Sequence, residues 1–288
     1  MNRCLAFILA IFFATITVSS AVATPADWIH FTIEPRGNGE IYATFRDESR
    51  GRNDSNWSSG LRPSELIGLD VAALRAAGTR PLRFAITREA GRLDCAGTGG
   101  SSRGAGNCTF TADPGFTQLL ASRGIGRPTR DQTFGLMAID ARREVIEAVA
   151  AARYPTPTID DLMALTALGI TGRYISDLAR AGYRPRTIDT LIEFKALGIT
   201  PEWIAGFTRI GYGNLPGHRL VELKALDVSP QFIAGFERIG RRNLPVDTLV
   251  QFKALGVTPE FVERMERWRG ARLSDDQLVQ LRALGFDR

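Results

Sequence analysis

Histidine is almost absent, with only His30 and His218 in 288 residues. Neither has a second histidine or a cysteine nearby to complete a metal set, and no serine has an identifiable histidine partner for a triad. Lysine occurs only three times, and the net charge is a modest +5. Because neither half of the chain is notably basic, the footprint of a nucleic-acid binder is missing. Cysteine is also sparse. Of the three, Cys4 lies ahead of an apolar run and the other two lack C-x-x-C spacing, which argues against a redox couple. The glycine-rich stretch Gly97–Gly106 has no Lys-Ser/Thr pair after it, as a phosphate-binding loop would need. The acid pairs Asp160-Asp161 and Asp275-Asp276 stand at helix starts, where the dipole rather than proton transfer accounts for them. No catalytic residue, cofactor or metal ligand is therefore expected.

What the chain has is a repeat. Ala167-Leu168-Gly169, Ala196-Leu197-Gly198, Ala225-Leu226-Asp227, Ala254-Leu255-Gly256 and Ala283-Leu284-Gly285 recur every 29 residues. Such a period marks units that bury their apolar faces only by stacking on their neighbours. In the unit from Thr187 to Gly211, Ile188, Leu191, Ile192, Phe194 and Leu197 form one helical face. Gly198 ends that helix, and Thr200-Pro201-Glu202 opens a second with a cap, a first-turn proline and an acid at the positive end. Asp227 replaces glycine at one stop, as a residue that tolerates positive φ. Four hairpins and a half-unit are expected between residues 154 and 288.

The chain opens differently. Asn2 and Arg3 precede an apolar run from Leu5 to Val18, and Ala21-Val22-Ala23 has the small-residue pattern of a signal-peptidase site. Residues 1–23 are read as a signal peptide cleaved before Thr24, which predicts a secreted or periplasmic protein with no membrane span left after cleavage. Residues 24–153 read as a β-rich domain with flanking helices. Strands are predicted around Trp28–Ile33, Ile41–Arg46, Leu82–Ile86, Leu93–Ala96 and Asn107–Thr111. A polar loop is expected from Asp47 to Gly60, a helix from Pro63 to Ala77, and helical segments over Pro114–Gly124 and Arg130–Ala152. With Gly97–Gly106 as a hairpin connection, Cys95 and Cys108 fall opposite each other, and in an oxidising compartment they are expected to form a disulfide.

Basic residues follow the repeat. Lys195, Lys224, Lys253 and Arg282 occupy one position of the unit, and Arg180, Arg209, Arg238 and Arg267 another. Stacking turns each series into a ladder. Either it docks an acidic protein partner, or it is a solvated flank whose stems cover apolar surface.

Units such as Leu249-Val250-Gln251-Phe252-Lys253-Ala254-Leu255-Gly256-Val257-Thr258-Pro259-Glu260 resemble the repeats C-terminal to some bacterial membrane-embedded zinc peptidases of the beta-lactam-sensor type. The segments Phe84–Gly91 and Gly104–Phe110 are similar to the small β-domain ahead of those repeats. The H-E-x-x-H helix and the membrane spans of such peptidases have no counterpart in this chain. The resemblance implies an extracytoplasmic sensing or interaction region, and no catalytic residue carries over. The expected protein is therefore an exported α+β chain acting as a non-catalytic interaction or regulatory module. An enzyme with a site between the domains is one alternative. Another is a helix-hairpin-helix nucleic-acid binder, which would want glycine where Thr200 stands.

Overall fold

The computed structural model describes residues 28–47 and 55–286; the expected leader and its cleavage point lie outside the described residues. The fold is α+β, a six-stranded antiparallel sheet followed by a helical array. The strands are β1 (Trp28–Pro35), β2 (Ile41–Asp47), β3 (Ser55–Leu61), β4 (Arg80–Arg88), β5 (Gly91–Gly100) and β6 (Arg103–Ala112). Their spatial order is β3-β2-β1-β6-β5-β4, so two three-stranded meanders join through β1 and β6. Alternation sets the faces. Ile29, Phe31 and Ile33 of β1 are buried with Ile41, Ala43 and Phe45 of β2, while Trp28, His30 and Thr32 face outward. Phe31 meets Phe84 edge-on at 4.9 Å, and Phe45 stacks on Trp57 at 4.7 Å.

Four expectations in this region need correction. Part of the expected loop from Asp47 to Gly60 is β3, paired along its length with β2. Its inward positions carry only Trp57 and Leu61 as large apolar residues, so alternation gave little signal. The expected helix Pro63–Ala77 is a 3-10 turn, Pro63–Glu65, and a short helix α1, Val71–Arg75. Gly68 at φ +87° and the bridge between Ile67 and Ala85 break it, and Asp70 caps the new start. The expected connection Gly97–Gly106 is almost entirely strand. The turn is only Ser101-Ser102, both at positive φ. Gly97 and Gly106 face each other so closely that a Cβ on either would lie 2.1 or 2.3 Å from a facing carbonyl oxygen, and Leu74 of α1 packs against Gly99 and Gly104. Glycine here serves close packing rather than turning. Finally, Arg130–Ala152 is two helices, broken at Asp140 with φ +61°.

That break shows how far the repeat extends. First helices of the units are α3 (Arg130–Ala138), α5 (Ile159–Ala167), α7 (Ile188–Ala196), α9 (Gly217–Ala225), α11 (Val246–Leu255) and α13 (Asp275–Ala283). Second helices are α2 (Pro114–Ser122), α4 (Arg143–Ala151), α6 (Gly172–Arg180), α8 (Pro201–Arg209), α10 (Pro230–Arg238) and α12 (Pro259–Arg269). Both sets start 29 residues apart throughout. The period therefore begins directly after the sheet, with Asp113 capping α2, and runs through Tyr154, where the sequence suggested a boundary. Ala138-Ile139-Asp140 holds the place of Ala-Leu-Gly. One apolar core continues from Ile29 in the sheet to Leu220 in α9.

The helix stops are as expected, with Gly198, Asp227 and Gly256 at φ +65°, +54° and +74°. Ile199 N then donates to Phe194 O at 2.8 Å, closing the helix end and burying Ile199. No heavy atom outside the adjoining residues lies within 4 Å of a Cβ built on Gly198. Gly198→Val is therefore expected to cost about 1–2 kcal/mol through backbone strain alone. Urea denaturation measures it, and an unchanged midpoint would show that the positive φ is not required.

Candidate interaction surface

The two basic series do different work. Each member of the first lies over an aromatic ring of the second helix in the preceding unit. Lys195 sits 4.8 Å from the Tyr174 ring, Lys224 5.4 Å from Trp203, Lys253 5.2 Å from Phe232 and Arg282 5.2 Å from Phe261. The spacing is 21 residues each time, so a period-locked cation–π contact ties the units together at these four steps. One period earlier Val145 replaces the ring and Thr166 the cation; both are missing together. Lys253 Nζ also pairs with Asp227 at 3.1 Å, and Arg282 donates to Leu255 O. This series is built into the stacking.

The second series remains outward. Arg180, Arg209, Arg238 and Arg267 are exposed at the ends of α6, α8, α10 and α12. Arg180 pairs with Asp177 on its own helix, and Arg267 donates to Glu263 O. Among the described residues Arg209 and Arg238 form no ion pair within 4 Å. Each holds its guanidinium against a glycine of its own helix, Gly206 or Gly235, beside the next helix's Pro230 or Pro259. Those glycines let the prolines close in: an added Cβ would lie 2.8 or 2.9 Å from the ring. Glu260 lies close enough to Arg238 to feel its charge. Hydrogen bonds from its own backbone and Thr258 hold its carboxyl low, with Arg238 and Arg264 adding to the effect.

Open grooves run between two pairs of successive second helices. The one between α8 and α10, of about 270 Å³, is lined by Trp203, Gly206, Arg209, Ile210, Pro230 and Ala234, with Glu202 at one end. Its equivalent between α4 and α6 holds about 550 Å³ and is lined by Ala148, Ala151, Ala152, Ile175, Ala179 and Arg180, with Tyr154, Ser176 and Arg184 around it. Tyr154, Arg184 and the run of alanines did not stand out in the sequence, because their meaning lies in how they depart from the other units.

Tyrosines on this side of the array are raised in pKa. Burial pushes Tyr154 well above its ordinary range, and Tyr174, whose hydroxyl donates to Ile199 O at 2.7 Å, from 10 up to about 12. A raised folded-state value means the stabilisation is whole below pH 10 and is lost as pH climbs toward 12. Alkaline unfolding is expected to steepen in that window, and Tyr174→Phe to flatten it. A Tyr174→Phe profile superimposable on the parent's would remove the tyrosine from the account.

The sheet and the array are joined by polar contacts. Arg88 at the end of β4 donates to Met137 O at 2.9 Å and also to Ala138 O, capping the C-terminus of α3, with Glu65 3.5 Å away. Glu89 accepts from the backbone N of Arg143 at 2.7 Å, at the start of α4. Buried Asp47 pairs with Arg130 at 2.6 Å. The Cys95–Cys108 disulfide is formed and lies on the inner face, remote from the grooves. His30 stands exposed on β1, and His218 in the first turn of α9 rather than in a preceding turn. Among the described residues no group of three or more His, Cys, Asp or Glu is placed to hold a metal, and no helix is long and apolar enough to cross a membrane. No protein-family model matches the chain, and no curated protein matches it.

Proposed function

We propose that the chain is an exported, non-catalytic interaction or regulatory module whose helical array docks an acidic protein on its second-helix face. The observation that carries the reading is the pose shared by Arg209 and Arg238: exposed, without an ion-pair partner among the described residues, and aligned on equivalent groove walls. The lysine ladder is not part of the docking surface in this reading, since stacking already uses it. Export rests on the leader-like sequence of residues 1–23 and agrees with a formed disulfide. The similarity to sensor-type peptidase tails points to the same class of extracytoplasmic interaction.

Charge reversal tests it. Arg209→Glu with Arg238→Glu is expected to abolish capture of the acidic partner from the organism's own envelope fraction, while the thermal midpoint stays nearly unchanged. Exposed charges contribute little to stability but can govern association. A partner recovered equally well by the double variant would decide for a solvated flank. Loss of cooperative unfolding would instead assign both arginines to the contact between units.

A further inference from the structure

The groove between α4 and α6 is enlarged because its unit departs from the repeat. Ala151 stands where later units have Arg180, Arg209 and Arg238, Ala152, like Ala181 after it, where the following units have Ile210 and Ile239, and Gly172 where they have Pro201, Pro230 and Pro259. The result is twice the volume of the α8–α10 groove, with Ile175 in its lining and Glu144 as the acid that packs beside Gly172 at its wall. Two polar groups at this groove are unused. The Tyr154 hydroxyl has no hydrogen-bond partner among the described residues, whereas the equivalent Tyr212 two units on donates to Leu244 O at 2.7 Å. Arg184, close enough to Tyr154 to influence its ionisation, is exposed and has no ion pair among the described residues. An apolar recess beside an unpaired cation suits an aliphatic side chain next to a carboxylate.

The rest of the face sets a spacing. Packed helices lie about 8–10 Å apart, so successive arginines on α6, α8 and α10 repeat at about that interval. An extended β-strand returns a side chain to one face every two residues, or about 6.7 Å. An α-helix does so every seven residues, at about 10.5 Å, and with a width of about 10–12 Å it would ride over the grooves instead of entering them. A polyproline II segment turns once in three residues and advances about 9.3 Å in doing so. Of the three, only this last advance falls within the interval.

We infer that the acidic partner, on the docking reading above, presents a polyproline II segment with carboxylates three residues apart for Arg209 and Arg238, and an aliphatic side chain seated in the α4–α6 groove. The exposed arginines make the face basic, and the recess lies at its sheet-proximal end, so the anchor and the acid register would be read together.

Labelled synthetic peptides of equal length and equal glutamate content test this by fluorescence anisotropy with the whole protein. One has glutamate every third residue on a Pro/Ala background with a leucine at one end, a second lacks the leucine, a third has glutamate every second residue, and a fourth is helical with glutamate every seventh. The three-residue peptide is expected to bind at least about tenfold more tightly than the two- and seven-residue forms. Ala151→Leu, at an exposed position that tolerates a larger side chain, should bring the leucine-bearing peptide down to the affinity of the leucine-free one. Equal affinity for all spacings would overturn the register while leaving acidic docking intact. Failure of every acidic peptide, with partner capture also insensitive to Arg209→Glu/Arg238→Glu, would sink both. Decanoate bound in the groove without any peptide binding would make it a pocket for a small amphiphile, against the inference.

Discussion

Replacing Arg241 with alanine is expected to destabilise the last units by about 3 kcal/mol, among the largest effects of any single substitution in the array. Arg241 occupies the place of Tyr183 and Tyr212 in the repeat, yet it is only 6% exposed. Its guanidinium pairs with Glu266 at 2.7 Å and with Asp275, and it donates to Leu273 O. This last bond is the counterpart of Tyr212 to Leu244 O, 32 residues on in both cases. Alanine would take this donor from the Leu273 carbonyl and from both carboxylates, of which Glu266 keeps the backbone N of Leu273 at 3.1 Å. Because both carboxylates still reach water, the low end of the range for a broken buried pair applies. Arg241→Tyr restores the repeat's own residue, so it should recover about 1 kcal/mol, the worth of one hydrogen bond, and no more. Urea titration of the three proteins is the measurement. An alanine variant within about 0.5 kcal/mol of the parent, the usual cost of a surface change, would show the network to be idle.

The second large effect is on the sheet. Removing the bridge with Cys95→Ala and Cys108→Ala together is expected to cost about 3 kcal/mol, for a closed loop of about 14 residues. The pairing is direct, Cys95 opposite Cys108 on β5 and β6, and both residues are buried on the inner face. Beside it the glycine pair Gly97 and Gly106 supplies no side-chain contact, so at that point the two strands are held by the backbone ladder and the covalent link. The parent protein under reductant should melt where the double alanine variant does. Coincident melting of the oxidised parent and that variant would show that the bridge adds nothing. Double serine should fall lower still, since each hydroxyl would enter an apolar core without an assured partner.

Legibility differed along the chain for identifiable reasons. The hairpins from Thr158 onward were readable because stop, cap and apolar face repeat together, and Thr158, Thr200, Ser229 and Thr258 each cap as their sequence suggested. The unit ahead of them was hidden by Asp140 in place of glycine and Arg142 in place of a capping hydroxyl, although the 29-residue phase is intact. Strand β3 was hidden by its serines, and the glycine-rich strands by a composition that ordinarily means a turn. At the surface, the two basic series looked alike in sequence. Their aromatic neighbours 21 residues upstream distinguish one from the other, a long-range correlation that becomes meaningful only once the units stack.

The sequence by itself determined the α+β division, the period, the helix boundaries of the later units and the cysteine pair, because each rests on local chemistry: backbone φ preference, capping, and apolar spacing within a helix or strand. Tertiary structure decided where the array begins, which cations are spent on stacking and which face outward, and that one groove of the series is twice the size of another. Those depend on residues that meet across units or across the sheet, where a missing side chain such as Ala151 matters only through the space its neighbours leave unfilled.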